Sequence, residues 1–305
     1  MKIKHIIEAR QFERKWLEKE LFPLAKEMEE IAKRGGSDVL KEKKMISFFY
    51  EPSTRTRCSF EAAMTLLSGR VIFSTENARQ FSSAAKGETL EDTIRILDGY
   101  YPDVIVLRYD KENGAQTAAQ FSSVPIINAG DGTGEHPTQA LLDIYTIQKE
   151  LGKIDGISIA MVGDLARGRT VHSLSYLLGQ FSNIKIYFVS PKSLKMKDEI
   201  KEYLKKQNII FSEETDLKKV ASLVDVIYQT RIQKERGSML KDSEGFYIVN
   251  QEILNLMKKE AMIMHPLPRL DEISPDVDKD PRAAYFRQAE NGLYVRMALL
   301  KMMLS

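Results

Sequence analysis

Short apolar runs rich in β-branched residues alternate with longer amphipathic stretches along the whole chain. Runs such as residues 45–50 and 157–162 have the length of buried strands, and the stretches between such runs have the period of helices. This alternation is typical of parallel sheets covered by helices, because each parallel connection needs a crossover segment. The sequence therefore predicts an α/β fold with mostly parallel sheets flanked by helices.

The predicted elements fall into two series, which suggests two lobes. Strands are predicted at residues 45–50, 71–73, 104–107 and 124–128, and then at 157–162, 184–189, 209–211, 225–229 and 261–264. Between the two series, Pro137 can begin a helix and Gly152 can end it. We therefore expect one domain of residues 1–135 with 285–305, and a second of residues 136–284.

The balance of charge restricts the partners of this chain. Among 305 residues, 45 Lys and Arg face 43 Asp and Glu, for a net charge of +2. Such a chain has no overall attraction to nucleic acid or to an anionic membrane, so we expect neither as a partner. We also expect a cytoplasmic location, since neither a signal-peptide core nor an apolar run of about 18 residues occurs.

Cysteine and histidine usage gives no indication of a metal. Cys58 is the one cysteine, so an intrachain disulfide and a cysteine zinc site are both excluded. The four histidines show no metal-ligand spacing. We therefore expect no metal and no cofactor, and we predict that Cys58 is a small core residue.

Polar residues follow several of the predicted strands. They are Glu51, Arg108, Arg169, Arg231 and His265. Ligands of open α/β sheets bind outside the carboxyl ends of the strands, so these residues indicate an active site in a cleft between the two lobes. An ordinary polar surface remains the alternative at this point, because strand ends lead into loops and loops are polar.

The segment from residue 48 to residue 57 runs from a predicted strand into a predicted helix. Its free N–H groups and the hydroxyls of Ser53, Thr54 and Thr56 can form an anion cradle. Arg55 adds a forked donor that matches phosphate oxygens. Arg57 lies about 200° further round the helix, so we assign it to a structural ion pair. The alternative is an ordinary capped helix with surface arginines.

Six segments resemble the shared motifs of the aspartate and ornithine carbamoyltransferase family, in the family's order. They are residues 53–57, 86–89, 136–143, 168–170, 230–236 and 265–269. The resemblance implies a two-lobed enzyme with small-molecule substrates. Its reaction would transfer the carbamoyl group of carbamoyl phosphate to an amine.

The identity of the amine follows from two of these segments. Ornithine enzymes typically carry Ser-Met-Gly in the second lobe and His-Cys-Leu-Pro near the end, whereas this chain has Arg231-x-Gln233 and His-Pro-Leu-Pro at 265–268. A dicarboxylate amine needs cations, which Arg169 and Arg231 can supply. The resemblance thus implies L-aspartate as the acceptor, and a product, N-carbamoyl-L-aspartate, that belongs to pyrimidine biosynthesis.

Two other functions stay open. The chain could carbamoylate ornithine or another amino acid, or it could be a non-catalytic anion-binding subunit. The second alternative has no support from the residues, because Arg108, His136 and Gln139 are all present.

The resemblance also implies roles for individual residues. Those expected to bind carbamoyl phosphate are Ser53, Thr54, Arg55, Thr56, Arg108, His136, Gln139, Pro266 and Leu267. Those expected to bind aspartate are Arg169, Arg231, Gln233, Lys86 and Ser82. The catalytic residues among them are His136, Arg55, Thr56, Arg108 and Lys86. Glu51 is expected to hold Arg169 and Arg236 in place.

The chemistry leaves two roles for His136. The departing phosphate can take the amine proton, so no protein base is required. His136 would then donate a hydrogen bond to the carbonyl oxygen, where negative charge develops. The alternative is that His136 acts as the general base.

Residues 74–87 form a long polar stretch without periodicity, as functional loops often do. The family uses the equivalent loop to reach a neighbouring active site, which implies a homotrimer in which Ser82 and Lys86 act in trans. Many bacterial relatives carry two lysines before Gly-Glu-Thr, but this chain has Ala85 and Lys86, so Lys86 alone would serve. The resemblance leaves separate regulatory chains open.

Overall fold

The computed structural model describes residues 3–231 and 247–305. Contacts divide the chain into two compact units, Met1–Leu142 with Glu290–Ser305, and Asp143–Ala289. Both divisions fall inside helices, Pro137–Leu151 and Tyr285–Leu304. The sequence placed them at 135/136 and 284/285, next to the starts of these helices, because periodicity does not indicate where a continuous helix passes from one unit to the next.

The first unit is built on a four-stranded parallel sheet with the order β2-β1-β3-β4. A 3-10 turn (Ala9–Gln11) and three consecutive helical segments, α1 (Arg14–Trp16), a π-helical turn (Leu17–Leu21) and α2 (Phe22–Lys33), precede the sheet. The strands are β1 (Lys44–Phe49), β2 (Arg70–Thr75), β3 (Val104–Tyr109) and β4 (Ile126–Asp131). The helices that follow them are α3 (Thr54–Leu66), α4 (Ala78–Phe81), α5 (Leu90–Asp98), α6 (Gly114–Phe121) and α7 (Pro137–Leu151).

The second unit is built on a five-stranded parallel sheet with the order β7-β6-β5-β8-β9. Its strands are β5 (Ser158–Val162), β6 (Lys185–Val189), β7 (Ile210–Glu214), β8 (Val226–Gln229) and β9 (Met262–Met264). Its helices are α8 (Arg169–Leu178), α9 (Asp198–Lys206), α10 (Lys218–Ala221), α11 (Gln251–Leu256) and the start of α12 (Tyr285–Leu304).

The predicted α/β fold is confirmed, and every predicted strand is present. The central strands have the apolar runs that a sheet buried on both faces requires. All residues of the central strand β8 are buried, as are those of β9 at one edge of the second sheet, whereas β2 at an edge of the first sheet is mostly exposed. Apolar side chains such as Ile46 and Ile105 pack against Ile94 of α5, and each contributes about 1.5–3 kcal/mol on full burial.

No helix within the described ranges combines the length and the apolar character that crossing a bilayer requires.

Each sheet contains a point where the direction of strand addition reverses. The first sheet grows from β1 to β2 on one side and then to β3 on the other, and the second sheet reverses in the same way between β5 and β8. Loops diverge at such a point, so a crevice forms outside the carboxyl ends of the two strands. The fold therefore provides one potential ligand position in each unit.

Candidate active site

The start of α3 lies at the reversal point of the first sheet. Ser53 is the N-cap residue, but its side chain does not cap the helix. Instead its Oγ accepts a hydrogen bond of 3.1 Å from Nη1 of Arg108. The first N–H groups of any helix have no intrahelical acceptor. Because Ser53 does not occupy them, this helix start can bind an anion, which the helix dipole favours.

Arg108 connects the neighbouring strand to this helix start. It belongs to β3, where it pairs with Phe49 of β1, so it lies inside the strand rather than just after it. Its Nε donates to Oε2 of Glu51 at 3.3 Å. The pKa of Arg108 is lowered, mainly because the side chain is buried. The carboxylate of Glu51 raises this pKa, and the positive charge of Arg55 lowers it.

Arg55 and Arg108 thus repel each other. Partial burial also lowers the pKa of Arg55. Both groups stay protonated at neutral pH because guanidinium is so strongly basic. A ligand with two negative charges would relieve this repulsion, so the electrostatics of the helix start favour a phosphate group.

The contact between Glu51 and Arg108 was not predicted. Strand and loop residues 57 positions apart carry no shared sequence pattern, so only the pairing of β1 with β3 brings them together. Glu51 was expected to hold Arg169 and Arg236. Arg236 lies outside the described residues, and the link from Glu51 to Arg169 remains a prediction.

Other residues of α3 differ in exposure. Thr56 is buried, whereas Thr54 is exposed and its Oγ1 donates to Oε1 of Glu76 at 3.4 Å. Arg57 forms the ion pair that we expected: its Nη1 lies 3.1 Å from Glu61, and its Nη2 lies 3.5 Å from Glu76.

The prediction that Cys58 is a core residue is wrong, because Cys58 is exposed. The buried side of α3 is formed by Thr56, Phe60, Ala63 and Met64. Cys58 lies two residues before Phe60, which places it about 200° away around the helix.

His136 and Gln139 lie at the start of α7 and are both buried, with 4% and 8% of their surface exposed. The backbone N–H of Gln139 donates to the carbonyl of His136 at 3.0 Å. Asp131, at the end of β4, shapes the preceding loop, because its Oδ1 accepts from the N–H of Glu135 at 2.7 Å and its Oδ2 from that of Asn113 at 2.9 Å.

The segment from residue 74 to residue 87 is more regular than predicted. It contains α4 and a 3-10 helix, Ser83–Lys86. The hydroxyl of Ser82 caps this 3-10 helix by accepting from the N–H of Ala84 at 3.1 Å, and it donates to the carbonyl of Ala78 at 2.6 Å. Lys86 is exposed at the end of the 3-10 helix.

The reversal point of the second sheet lies between two arginine-bearing loops. The paired residues Val162 and Gln229 end β5 and β8. A side chain at Gly163, which has φ +116°, would meet the carbonyl oxygen of Thr230 at 2.4 Å, so the two strand ends approach closely. Arg169 is the first residue of α8 and Arg231 follows β8 by two positions.

Two further features bear on the second unit. His172 is buried, and its Nε2 lies 2.7 Å from the carbonyl of Leu165. It therefore supports the loop that leads to Arg169. Gln233, which was predicted to bind aspartate, lies outside the described residues.

Pro266 and Leu267 lie in the loop after β9, and both are half-buried. Leu267 has φ +51° and precedes Pro268 through a cis peptide bond. This loop is held by His265, whose Nδ1 accepts from the N–H of Leu267 and whose Nε2 lies beside the carboxylate of Glu272. The role of Glu272 was missed, because a glutamate seven positions after a histidine is no recognised motif.

Within residues 3–231 and 247–305, no three His, Cys, Asp or Glu side chains come together as a set of metal ligands.

Several known proteins resemble this chain over nearly its whole length. Aspartate carbamoyltransferase, chloroplastic, of Arabidopsis thaliana is 60% identical over 304 residues, which cover 98% of this chain and 77% of the relative. The aspartate carbamoyltransferase catalytic subunit of Thermoplasma volcanium is 51% identical and covers 92% of both chains.

A solved structure gives the same result. The aspartate transcarbamoylase of Trypanosoma cruzi in complex with N-(phosphonacetyl)-L-aspartic acid is 42% identical, with a TM-score of 0.93. The superposition covers 99% of this chain and 96% of that chain.

The plant relatives contradict the predicted cytoplasmic location. The Arabidopsis enzyme and similar enzymes of pea and rice are all named chloroplastic, and this finding overturns the expectation. The prediction failed because composition and the distribution of apolar runs do not identify a cellular compartment.

Two family models match consecutive parts of the chain. The carbamoyl-P binding domain of aspartate/ornithine carbamoyltransferase matches residues 4–149, and the Asp/Orn binding domain matches residues 155–303. These matches agree with the two parallel-sheet units described above. The chain belongs to the aspartate/ornithine carbamoyltransferase family.

Proposed function

We propose that this chain is an enzyme that transfers the carbamoyl group of carbamoyl phosphate to the amine of L-aspartate. The products are N-carbamoyl-L-aspartate and phosphate, and the reaction belongs to pyrimidine biosynthesis. The observation that carries the proposal is 60% identity, over 98% of the chain, to a relative named for this activity. The solved relative with a bound phosphonacetyl-aspartate supports aspartate as the acceptor.

The phosphate group is bound by the start of α3 together with Arg108. Ser53, Thr54, Arg55 and Thr56 supply backbone N–H groups and side-chain donors. The mutual repulsion of Arg55 and Arg108 supports this assignment, because two nearby cations favour a dianion. Glu51 neutralises part of the charge of Arg108 and fixes its orientation.

The carbamoyl group is bound at both of its polar ends. His136 and Arg108 donate to the carbonyl oxygen and stabilise the charge that develops there. Gln139 and the backbone carbonyls of Pro266 and Leu267 accept hydrogen bonds from the carbamoyl amine. The burial of His136 and Gln139 supports this role, since hydrogen bonds are stronger where water is excluded.

Arg169, Arg231 and Gln233 bind the carboxylates of aspartate. The positions of Arg169 and Arg231 on either side of the second reversal point support their assignment. Guanidinium groups suit this task because they bind carboxylates through two parallel hydrogen bonds.

The reaction needs no protein base. The departing phosphate takes a proton from the attacking amine, so that N–C bond formation and the breaking of the C–O bond to phosphate leave a neutral carbamoyl-aspartate nitrogen. Catalysis then depends on holding the two substrates together and on donors aimed at the developing charge.

We further propose that the enzyme is a homotrimer in which Ser82 and Lys86 serve the active site of a neighbouring subunit. Apolar side chains are exposed on this part of the first unit, with 40% exposure for Ile72, 45% for Phe73 and 74% for Phe81. Exposed apolar residues that lie close together often mark a protein interface. An edge strand such as β2 also needs protection from unwanted pairing, which an interface provides.

Turnover of purified enzyme with different amines tests the proposed reaction. With carbamoyl phosphate as donor, we expect kcat/KM for L-aspartate to exceed that for L-ornithine or N-acetyl-ornithine by about 10⁴-fold, because a site built for carboxylates leaves its cations unpaired with either competitor. Release of phosphate and formation of the ureido product are both measured.

If ornithine or N-acetyl-ornithine were turned over as fast as aspartate or faster, that amine and not aspartate would be the acceptor. Binding of carbamoyl phosphate without turnover of any amine would instead support an anion-binding subunit.

A further inference from the structure

His265 is a buried residue to which the reaction above assigns no task. It follows β9 directly and has 2% of its surface exposed. Its neighbours Pro266 and Leu267 carry the carbonyls that we assign to the carbamoyl amine. A residue in this position can act on the reaction through the backbone that follows it.

The hydrogen bonds of the ring determine its tautomer. The backbone N–H of Leu267 donates to Nδ1 of His265 at 2.7 Å, so Nδ1 is an acceptor and carries no proton. Nε2 lies 2.9 Å from Oε1 of Glu272. A neutral imidazole has one N–H, which must therefore be on Nε2 and donate to Glu272.

Glu272 favours this tautomer because it is an anion. Burial acts to raise its pKa, but hydrogen bonds from His265 and from backbone N–H groups lower the pKa of Glu272 below its ordinary value. Its second oxygen accepts from the N–H of Leu270 at 3.1 Å. The carboxylate thus binds the ring at one end of the loop and the backbone at the other.

A second set of hydrogen bonds anchors the start of the loop. The N–H of His265 donates to Oε1 of Gln288 at 2.8 Å, and Nε2 of Gln288 donates to Oδ1 of Asp143 at 2.7 Å. The other oxygen of Asp143 accepts from the hydroxyl of Tyr228 at 2.7 Å. Tyr228 and Gln288 are almost completely buried, so His265 cannot shift easily.

We propose that His265 is a positioning residue that holds the Pro266–Leu267 turn in the conformation required to bind the carbamoyl amine. It acts as the neutral tautomer, with Nδ1 accepting from the turn and Nε2–H donating to Glu272. Leu267 has φ +51°, a conformation that is unfavourable for leucine and needs such support. This inference rests on the proposed function, because it concerns the binding of carbamoyl phosphate.

Substitutions at position 265 separate the two hydrogen bonds of the ring. His265→Leu removes both. His265→Asn keeps an acceptor for Leu267, because an asparagine side chain bonds readily to the backbone N–H two residues on, but it does not reach Glu272. Glu272→Gln keeps an acceptor for the ring and removes the charge.

We expect His265→Leu to raise KM for carbamoyl phosphate by about 10-fold to 100-fold, since small misplacements of binding groups have effects of this size. We expect His265→Asn and Glu272→Gln, which each weaken only one of the two ring hydrogen bonds, to raise this KM by a smaller factor, about 3-fold to 10-fold. Inhibition by inorganic phosphate is the matched control. Phosphate has no carbamoyl group, so its inhibition constant should be the same for every variant that folds.

Three results would overturn the inference: an unchanged KM for carbamoyl phosphate in His265→Leu, an asparagine variant as defective as the leucine variant, or an equal weakening of inorganic phosphate. A thermal melt shows whether His265→Leu folds. If it does not fold, the His265→Asn and Glu272→Gln variants test the proposal instead. A KM for carbamoyl phosphate equal to that of wild type in both variants would then contradict the proposal. Absence of turnover by the wild-type enzyme contradicts the proposed function instead.

Discussion

His136 is the residue for which burial and chemistry most clearly limit the mechanism. It has 4% of its surface exposed, and it is immediately followed by Pro137 at the first position of α7. Burial penalises a charged imidazole, so we expect a neutral ring that donates one hydrogen bond. A neutral ring that donates a hydrogen bond contributes equally at every pH at which it stays neutral. A general base would instead make the rate fall at the pH where the base becomes protonated.

Replacing His136 by asparagine distinguishes these roles. We expect kcat to fall by about 100-fold or more, the usual loss for a misplaced donor to a developing oxyanion, and by the same factor at each pH. The measurement is kcat against pH for both enzymes. Disappearance of the acidic limb in the variant would show that His136 is the base and would contradict donation.

Cys58 shows how far a single residue type can mislead. Cysteine is often buried, and that tendency favoured the core. The apolar positions Phe60, Ala63 and Met64 already indicate the buried side of α3, and Cys58 is not on it. At the scale of a residue, position on the helix predicts burial better than amino-acid type.

The helix α3 presents two arginines in different surroundings. Arg55 lies in its first turn, beside the charge of Arg108. Arg57 lies further round the helix and pairs with Glu61 and Glu76. The helical rotation between them, about 200°, separates the side that we propose to bind phosphate from the side that forms the ion pairs.

Alanine at each position tests this separation. We expect Arg55→Ala to lower kcat/KM for carbamoyl phosphate by about 100-fold to 1000-fold, as loss of a charged donor in an active site does. Arg57→Ala is the matched control, and we expect it to lower the stability by about 1 kcal/mol, because half-exposed ion pairs contribute little.

Steady-state kinetics and urea unfolding measure the two effects. A larger kinetic loss for Arg57→Ala than for Arg55→Ala would mean that the wrong arginine was assigned to the phosphate.

Short elements were harder to predict than long ones. The segment from residue 74 to residue 87 was expected to be irregular, but it includes α4 and a 3-10 helix of four residues each. One turn of helix is too short to show a period, so a hydrophobic pattern cannot reveal it. Ser82 caps the 3-10 helix through a hydrogen bond to a residue only two positions away, and no pattern of apolar residues indicates such a cap.

The assembly of the whole molecule is testable by mixing inactive subunits. Lys86→Ala chains keep Arg55, and Arg55→Ala chains keep Lys86. If one subunit supplies Lys86 to the site of the next, each mixed trimer contains one complete site, and an equal random mixture should regain about a quarter of wild-type activity. The measurement is turnover after the mixture is dissociated and reassembled.

Each variant reassembled alone is the control and should remain inactive. Mixed trimers that form, as native mass spectrometry would detect, yet stay inactive would contradict the sharing of active sites.

The sequence by itself determined the elements and singled out the segment to which we assign the phosphate. The strands and long helices follow from hydrophobic periodicity, which is a local property. The cradle at residues 53–56 is equally local, because a strand end, hydroxyl groups and an arginine follow one another along the chain. The predicted distribution of Arg108, Arg169 and Arg231 over strand ends was also close to the positions found.

Only the tertiary structure decided the order of the strands and hence the two reversal points. It also decided that Glu51 holds Arg108, that Glu272 fixes the tautomer of His265, and that Gln288 reaches Asp143 across 145 positions of sequence. Strand pairing and buried hydrogen bonds join residues that are distant in the chain. Their geometry depends on how whole elements pack, which no local pattern encodes.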